Sequence, residues 1–145
     1  VTVQPLQNWI WQTQTTTQSA VENMPVSQVK FKQLKNTEEL DRTLAENPHS
    51  IAMLDLYADW CVACKEFEKL TFSDPQVQQQ FQNILLLQVN MTKNSPENKA
   101  LMERFNVMGL PTILFFDQQN NEIKGSRVTG FMDADAFSNW IEKLL

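Results

Sequence analysis

Beyond residue 30 the apolar positions follow two kinds of pattern. Short apolar or alternating runs are typical of strands, and apolar residues at helical spacing are typical of helices. Three segments are almost continuously apolar, which suits strands that are buried on both faces of a sheet: residues 51–58, Ile84–Asn90 and Thr112–Phe116. A short alternating segment over residues 29–32 predicts a further strand before them. After a polar turn at residues 118–121, residues 122–129 predict a hairpin strand that is interrupted by Gly125.

Helix-start signals separate these segments. A side chain able to cap a helix, followed by acidic residues or by proline, predicts helices that begin after Asn36, Asp74 and Ser95 and end near residues 46, 81 and 105. A helix over residues 61–70 follows the first long strand directly. Asp133 caps a last helix, whose apolar residues recur at helical spacing: Phe137, Trp140, Ile141 and Leu144. The order β-α-β-α-α-β-α-β-β-α predicts an α/β fold with a central mixed sheet and helices on both faces.

Length, net charge and cysteine count limit the classes of function that the chain can have. The 145 residues suit one domain, and 12 basic against 17 acidic residues give a net charge of −5, which argues against nucleic acid as a partner. No apolar run is long enough to span a membrane, so we expect a soluble and monomeric domain. Two cysteines and one histidine cannot complete a four-ligand zinc site within the chain, and we expect no metal. The six methionines are interpreted as core residues.

Residues 1–29 differ from the remainder of the chain. They carry a single charged side chain, Glu22, and are rich in Gln and Thr, which predicts a flexible linker ahead of a folded domain over residues 30–145. The segment Trp9-Ile10-Trp11 has two interpretations: aromatic residues at a membrane interface, or a hydrophobic patch on a loose tail. Since the chain begins at Val1 and shows no signal peptide, we expect a processed product or a piece of a longer protein.

The segment Cys61-Val62-Ala63-Cys64 stands where a predicted buried strand meets a helix. At a helix N-terminus the unpaired N–H groups and the macrodipole favour a thiolate, so we expect Cys61 to be the exposed, reactive thiol and Cys64 its shielded partner. A C-x-x-C pair beside a βαβ pattern is typical of a redox motif. Two alternatives remain: a structural disulfide, whose short loop would constrain the unfolded chain little, and two ligands of a zinc site shared between chains.

Two carboxylates are placed to act on the cysteine pair. Asp55 lies six residues upstream within an apolar strand, and Glu68 lies four residues after Cys64, on the same helix face. A buried carboxylate tends to hold its proton, and near two thiols it can accept or donate one during exchange. When charged, it disfavours a neighbouring thiolate. The alternatives are a satisfied buried polar group for Asp55 and a solvated helix face for Glu68.

Gly109-Leu110-Pro111-Thr112 opens the third apolar strand. A proline within a central strand would remove a hydrogen bond of the ladder. A cis peptide bond before Pro111, at the entrance of the strand, resolves this conflict. The backbone before the proline would then be free to pair with an incoming extended segment.

These motifs together resemble the thioredoxin fold over residues 30–145. Val62 and Ala63 stand where thioredoxins usually have Gly-Pro, which points to a narrower match. Residues 54–68 and 71–75, together with Val128-Thr129-Gly130-Phe131, closely resemble the C-terminal periplasmic domain of the thiol:disulfide interchange proteins.

The resemblance implies a thiol-disulfide reductant and gives each candidate residue a role. It matches Cys61 to the attacking cysteine and Cys64 to its buried partner. The other matched residues are the acidic pair Asp55 and Glu68, the cis-proline Pro111, and the residues expected to face a partner, Trp60, Val62, Ala63 and Leu110. No cofactor is implied beyond a redox-active Cys61–Cys64 disulfide.

The resemblance also implies partners and a location. The domain would be the periplasmic part of an inner-membrane protein, with residues 1–29 following a membrane segment. It would take electrons from the transmembrane domain of the parent protein and pass them to the N-terminal periplasmic domain, which serves disulfide isomerases and cytochrome c maturation. Two alternatives remain: a free-standing oxidant or isomerase, and a binding module of thioredoxin fold without turnover.

Overall fold

The computed structural model describes residues 30–145, which form one mixed sheet of five strands. The strands are β1 (Lys32–Gln33), β2 (Ile51–Tyr57), β3 (Ile84–Asn90), β4 (Thr112–Phe116) and β5 (Val128–Thr129). Their order in the sheet is β1-β3-β2-β4-β5; β3 runs parallel to β1 and β2, whereas β4 is antiparallel to β2 and β5. The predicted element order and mixed sheet are confirmed. The predictions for residues 1–29, including Trp9-Ile10-Trp11, lie outside the described residues.

Residues 30–145 also form five α-helices: α1 (Thr37–Ala45), α2 (Val62–Glu66), α3 (Pro75–Phe81), α4 (Pro96–Arg104) and α5 (Ala134–Leu144). Each of them begins with a side chain that accepts a backbone N–H bond. At four helices this is the capping residue that the sequence predicts: Asn36, Asp74, Ser95 and Asp133. No helix of the described residues is both long and apolar enough to cross a membrane.

The predicted single helix over residues 61–70 is wrong in its second half. After α2 the chain forms a π-helical turn, Phe67–Thr71, which is closed by the N–H of Phe72 donating to the carbonyl of Phe67 at 2.8 Å. Side chains five positions apart on an α-helix point about 140° apart. The wider turn instead brings Phe67 and Phe72 to the same side, with ring centroids 5.2 Å apart. This aromatic pair fixes the turn against the core.

Both edge strands are shorter than predicted. The predicted strand over residues 122–129 reduces to an isolated bridge at Glu122 and the two residues of β5, because Gly125 adopts φ +72 and turns the chain out of the sheet. At the other edge β1 begins only at Lys32. Phe31, which the alternating pattern placed in a strand, packs instead against Phe72, with ring centroids 5.3 Å apart.

The sheet separates two hydrophobic layers, and the alternation of side chains along β2 assigns them. Ala52, Leu54 and Leu56 face α1 and α4, whereas Ile51 and Met53 face the π-helical turn, α3 and α5. Asp55 has the same parity as Ile51 and Met53. The buried carboxylate therefore lies on the face of the sheet that α2 and the π-helical turn cover.

Candidate functional site

The cysteine pair lies at the end of β2 and forms a disulfide. Cys61 is the N-cap of α2, and its sulfur accepts the backbone N–H of Cys64 at 3.1 Å. The two Cα atoms are 5.2 Å apart. A helix N-terminus with an N–H directed at this sulfur stabilises a thiolate on Cys61 once the disulfide is reduced.

The predicted contrast between an exposed Cys61 and a shielded Cys64 is wrong for this disulfide state. Cys61 is 5% exposed and Cys64 is 7% exposed. Half-buried side chains packed around the pair account for the shielding, namely Tyr57, Ala63 and Leu110. A helix start is open on its own, but here the loop before β4 covers it.

That loop contains the cis peptide bond between Leu110 and Pro111, which confirms the sequence-based expectation. Leu110 packs against the cysteine pair, and Pro111 is buried with its carbonyl accepting the N–H of Gly130 at 3.1 Å. Among the hydrogen bonds of residues 30–145, none engages the backbone N–H or C=O of Leu110. The Leu110 backbone is therefore available for a main-chain partner beside the disulfide.

An exposed apolar rim adjoins the disulfide. Trp60 and Val62, which flank Cys61 in sequence, are 65% and 73% exposed, and Met108 of the cis-proline loop is 91% exposed. The other two residues predicted to face a partner, Ala63 and Leu110, are half-buried. The sequence analysis assigned Met108 to the core. Its position directly before Gly109-Leu110-Pro111 is the signal that could have placed it at the site.

A groove of about 380 Å³ continues from this loop. One wall is formed by residues 106–112 and the other by Arg127, Thr129 and Gly130. Arg127 is held by an ion pair with Glu122 at 2.8 Å. The groove therefore borders the unpaired backbone of Leu110.

Asp55 is buried. Its Oδ2 accepts one hydrogen bond, from Nε2 of Gln88 at 2.9 Å. Burial raises the pKa of Asp55 to about 7; the hydrogen bond from Gln88 opposes this rise, and the negative charge of Glu68 adds to it. The carboxyl group can therefore take up and release a proton near neutral pH.

A small cavity connects Asp55 with the cysteine pair. It has a volume of about 20 Å³, enough for one water molecule. Its lining includes Asp55, Glu68 and Cys64, whereas Cys61 does not line it. The structure thus brings together three of the predicted site residues and places the acids on the Cys64 side of the disulfide. Glu68 is largely exposed despite this position.

Within residues 30–145, no group of three or more His, Cys, Asp or Glu side chains is arranged to hold a metal ion. The described site instead places the Cys61–Cys64 disulfide next to a buried carboxylate.

The comparisons with known proteins agree with this geometry. The family model described as a thioredoxin-like domain matches residues 37–145. The whole chain is 99% identical to part of the thiol:disulfide interchange protein DsbD of Haemophilus influenzae (strain PittGG), of which it spans 25%. A match to DsbD of Escherichia coli O6:H1 is 51% identical over 95% of the chain and 23% of that protein. The chain thus spans about a quarter of the length of these curated relatives.

Solved structures give the same result. The crystal structure of the Neisseria meningitidis DsbD C-terminal domain in the reduced form has a TM-score of 0.64 and 30% identity, covering 75% of this chain and 96% of that one. The oxidised form of the same domain has a TM-score of 0.64 and 29% identity, covering 79% of this chain and 98% of that one. The chain therefore belongs to the thioredoxin-like domain family and, within it, to the C-terminal domains of DsbD.

Proposed function

We propose that this domain is a thiol:disulfide oxidoreductase that acts as a reductant, cycling between a Cys61–Cys64 dithiol and the observed disulfide. The observation that carries the proposal is the disulfide at the N-terminus of α2, with a buried carboxylate behind it and an unpaired backbone segment in front. The name that the relatives share, thiol:disulfide interchange protein, supports it.

The first step is attack on the disulfide of a partner. The thiolate of Cys61, stabilised by the start of α2, forms a bond to one partner sulfur, and the bond between the two partner sulfurs breaks. The second partner sulfur leaves as a thiolate and takes up a proton. Cys61 and the partner are then joined in a mixed disulfide.

The second step resolves this intermediate. Asp55 as carboxylate takes the proton of the Cys64 thiol across the small cavity, and the Cys64 thiolate attacks Sγ of Cys61. The mixed disulfide breaks and the first partner sulfur leaves as a thiolate. Two electrons have then passed from the domain to the partner, the proton of Cys64 is on Asp55, and the domain is left as the disulfide.

The exposed rim and the groove fit the docking that this exchange requires. Trp60, Val62 and Met108 offer apolar contact area around the disulfide, while the free backbone of Leu110 can pair with an extended segment that carries the partner's cysteine. Pairing there would place the partner's disulfide next to Cys61. We assign Trp60, Val62, Ala63, Leu110 and Met108 to this docking surface.

The partners that we propose are the other parts of the longer protein. Three quarters of the relatives' length lies outside the matched region. The domain would receive electrons from the transmembrane domain of that protein and deliver them to its N-terminal domain in the periplasm. Residues 1–29 would link residues 30–145 to the membrane.

Trapping the mixed disulfide tests this proposal. The Cys64→Ala variant, in the reduced state, is mixed with the oxidised N-terminal domain of Haemophilus influenzae DsbD and analysed by non-reducing electrophoresis and mass spectrometry. We expect a covalent one-to-one complex through Cys61. Cys61→Ala is the matched control, because it also leaves a single thiol, and should give no such complex.

The reduction potential separates reductant from oxidant. We expect a value nearer that of thioredoxin, about −270 mV, than that of a strong oxidant, about −120 mV, because Val62 and Ala63 offer no group that stabilises a thiolate. A potential near the oxidant value would favour the oxidant or isomerase alternative. If the reduced wild type fails to reduce insulin, the remaining alternative is a binding module of thioredoxin fold without turnover.

A further inference from the structure

A row of polar side chains crosses the sheet next to the site. Gln33 on β1 pairs in register with Gln88 on β3, and Gln88 pairs in register with Asp55 on β2. The three residues have the parity of the face that α2 covers, so their side chains project to the same side. The next residue in the row, Ile113 on β4, is apolar and buried.

Hydrogen bonds join this row into a chain with one direction. Nε2 of Gln33 donates to Oε1 of Gln88 at 2.6 Å, and Nε2 of Gln88 donates to Oδ2 of Asp55 at 2.9 Å. The hydroxyl of Tyr57 donates to Oε1 of Gln33 at 3.2 Å. Each amide thus accepts a hydrogen bond at its oxygen and donates from its nitrogen to the next residue toward the carboxylate.

We propose that Gln88 is a positioning residue, which holds the carboxylate of Asp55 at the cavity beside Cys64, and that Gln33 fixes the orientation of Gln88 from the edge strand. Gln88 also lines that cavity, whereas Gln33 lies outside it. The inference deepens the proposed function, since Asp55 acts there as the base for Cys64.

The physical reason is the unequal effect of an amide N–H on the two forms of a carboxyl group. A donated hydrogen bond stabilises the carboxylate and gives nothing comparable to the neutral acid. Gln88 is therefore the group that opposes the effect of burial on the pKa of Asp55. Were its amide rotated, Oε1 would face the carboxylate and destabilise it. Gln33 opposes this rotation, because its N–H donates to Oε1 of Gln88 and would face another N–H if the amide of Gln88 were rotated.

The charged and titratable groups facing Asp55 come from three elements. Tyr57 lies two residues further along β2, and α2 with the π-helical turn contributes Cys64, Lys65 and Glu68. Burial and the neighbouring carboxylates raise the pKa of Tyr57, so its hydroxyl remains a donor at neutral pH. Asp55 accepts its hydrogen bond from β3, which contributes the neutral Gln88.

The first test measures Asp55 directly in the oxidised 145-residue chain, where no thiol titrates. The carbon-13 carboxyl resonance of Asp55 is followed against pH in the wild type, Gln88→Met and Gln33→Met. Methionine keeps the length of the side chain and removes its donors. We expect the pKa of Asp55 to rise by about one unit in Gln88→Met and by less in Gln33→Met. Gln79→Met on the exposed face of α3 is the matched control and should leave it unchanged.

The second test measures resolution of a mixed disulfide, formed between Cys61 and a small aromatic thiol, as the rate of thiol release. One unit of upward shift leaves about a fifth as much Asp55 ionised at pH 7. Gln88→Met should therefore be about fivefold slower than wild type at pH 7 and within about a tenth of its rate at pH 9. In the Asp55→Asn background, Gln88→Met should have no further effect.

An unchanged Asp55 pKa in Gln88→Met would overturn the inference. If Gln88→Met does not fold, the test rests on Gln33→Met, whose residue is exposed. An unchanged Asp55 pKa in Gln33→Met would likewise overturn the inference. Equal slowing at all pH values, or in the Asp55→Asn background, would show that Gln88 acts on the fold rather than through Asp55. A wild type unable to reduce insulin would refute the proposed function, whereas the Asp55 titration would still decide the inference.

Discussion

Replacing Asp55 by asparagine should stabilise the folded domain, and the gain should depend on pH. The carboxylate is buried on a covered face of the sheet and accepts one hydrogen bond, from Gln88. Asparagine has nearly the same shape, carries no charge and can still accept that bond. The substitution therefore removes the cost of burying a charge while leaving the packing in place.

The sign and size of the effect follow from the two pKa values of Asp55. Folding raises the pKa from 3.8 to about 7, so the folded state binds the proton more tightly than the unfolded state. The stability associated with this proton is fully present below pH 3.8 and is lost as the pH rises through 7. The difference, 7 − 3.8 = 3.2 units, corresponds to about 4 kcal/mol. This is a large part of a typical domain stability of about 5–15 kcal/mol.

Chemical denaturation of the oxidised chain at a series of pH values measures this. At pH 4 we expect Asp55→Asn and the wild type to have similar free energies of unfolding. Above pH 8 the variant should be more stable by up to about 4 kcal/mol. Asp59→Asn is the matched control, because it removes the same charge from an exposed residue two positions before Cys61; the gain in stability expected for Asp55→Asn should exceed the effect of this control.

One result would refute the reasoning. If Asp55→Asn were no more stable than the wild type at pH 8, the carboxylate would not be held in the protein at a cost. Asp55 would then be an ordinary satisfied polar group, and its role as a proton carrier near pH 7 would lose its physical basis.

Three further predictions concern the thiol, the docking surface and the core. Neutralising Asp55 or Glu68, by Asn or Gln, should lower the pKa of Cys61 in the reduced domain and make the reduction potential less negative, as measured by thiolate absorbance and glutathione equilibration; an unchanged or raised pKa would contradict this. Met108→Ser should slow reduction of the proposed partner domain while leaving the reduction potential unchanged; an equal rate would exclude Met108 from the docking surface. Phe137→Ala, in the centre of the aromatic cluster, should lower the free energy of unfolding by about 3–5 kcal/mol, and a loss below 1 kcal/mol would indicate repacking.

The sequence predicted those elements whose signals are local. Capping side chains followed by proline or acidic residues marked the starts of α1, α3, α4 and α5, and the apolar run Ile84–Asn90 corresponds to β3. The π-helical turn has no such signal. Phe67 and Phe72 lie five positions apart, a spacing that is off the apolar face of an α-helix, and only the packing of the two rings makes the wider turn favourable.

The site shows the same division. Two features were enough to predict that the acid lies near the disulfide: the spacing of the cysteines, and the position of Asp55 as the polar residue within an apolar strand. They could not tell which sulfur it faces, because that depends on how α2 lies across the sheet. Gln88 interrupts the apolar run of β3 as Asp55 interrupts β2, and this shared polar interruption is a signal in the amino-acid sequence that could have paired the two residues.

The shielding of both cysteines implies that two properties of a partner decide whether it reacts with this domain: the fit of its surface and its reduction potential. A small disulfide in solution would meet a mostly covered sulfur without any surface to hold it there. A protein seated on Trp60, Val62 and Met108 would instead keep its own disulfide beside Cys61 and react at a high effective concentration. Two molecules of equal reduction potential would then exchange electrons at very different rates. Such a kinetic barrier would allow disulfide-forming and disulfide-reducing proteins to work in the same compartment without exchanging electrons with each other.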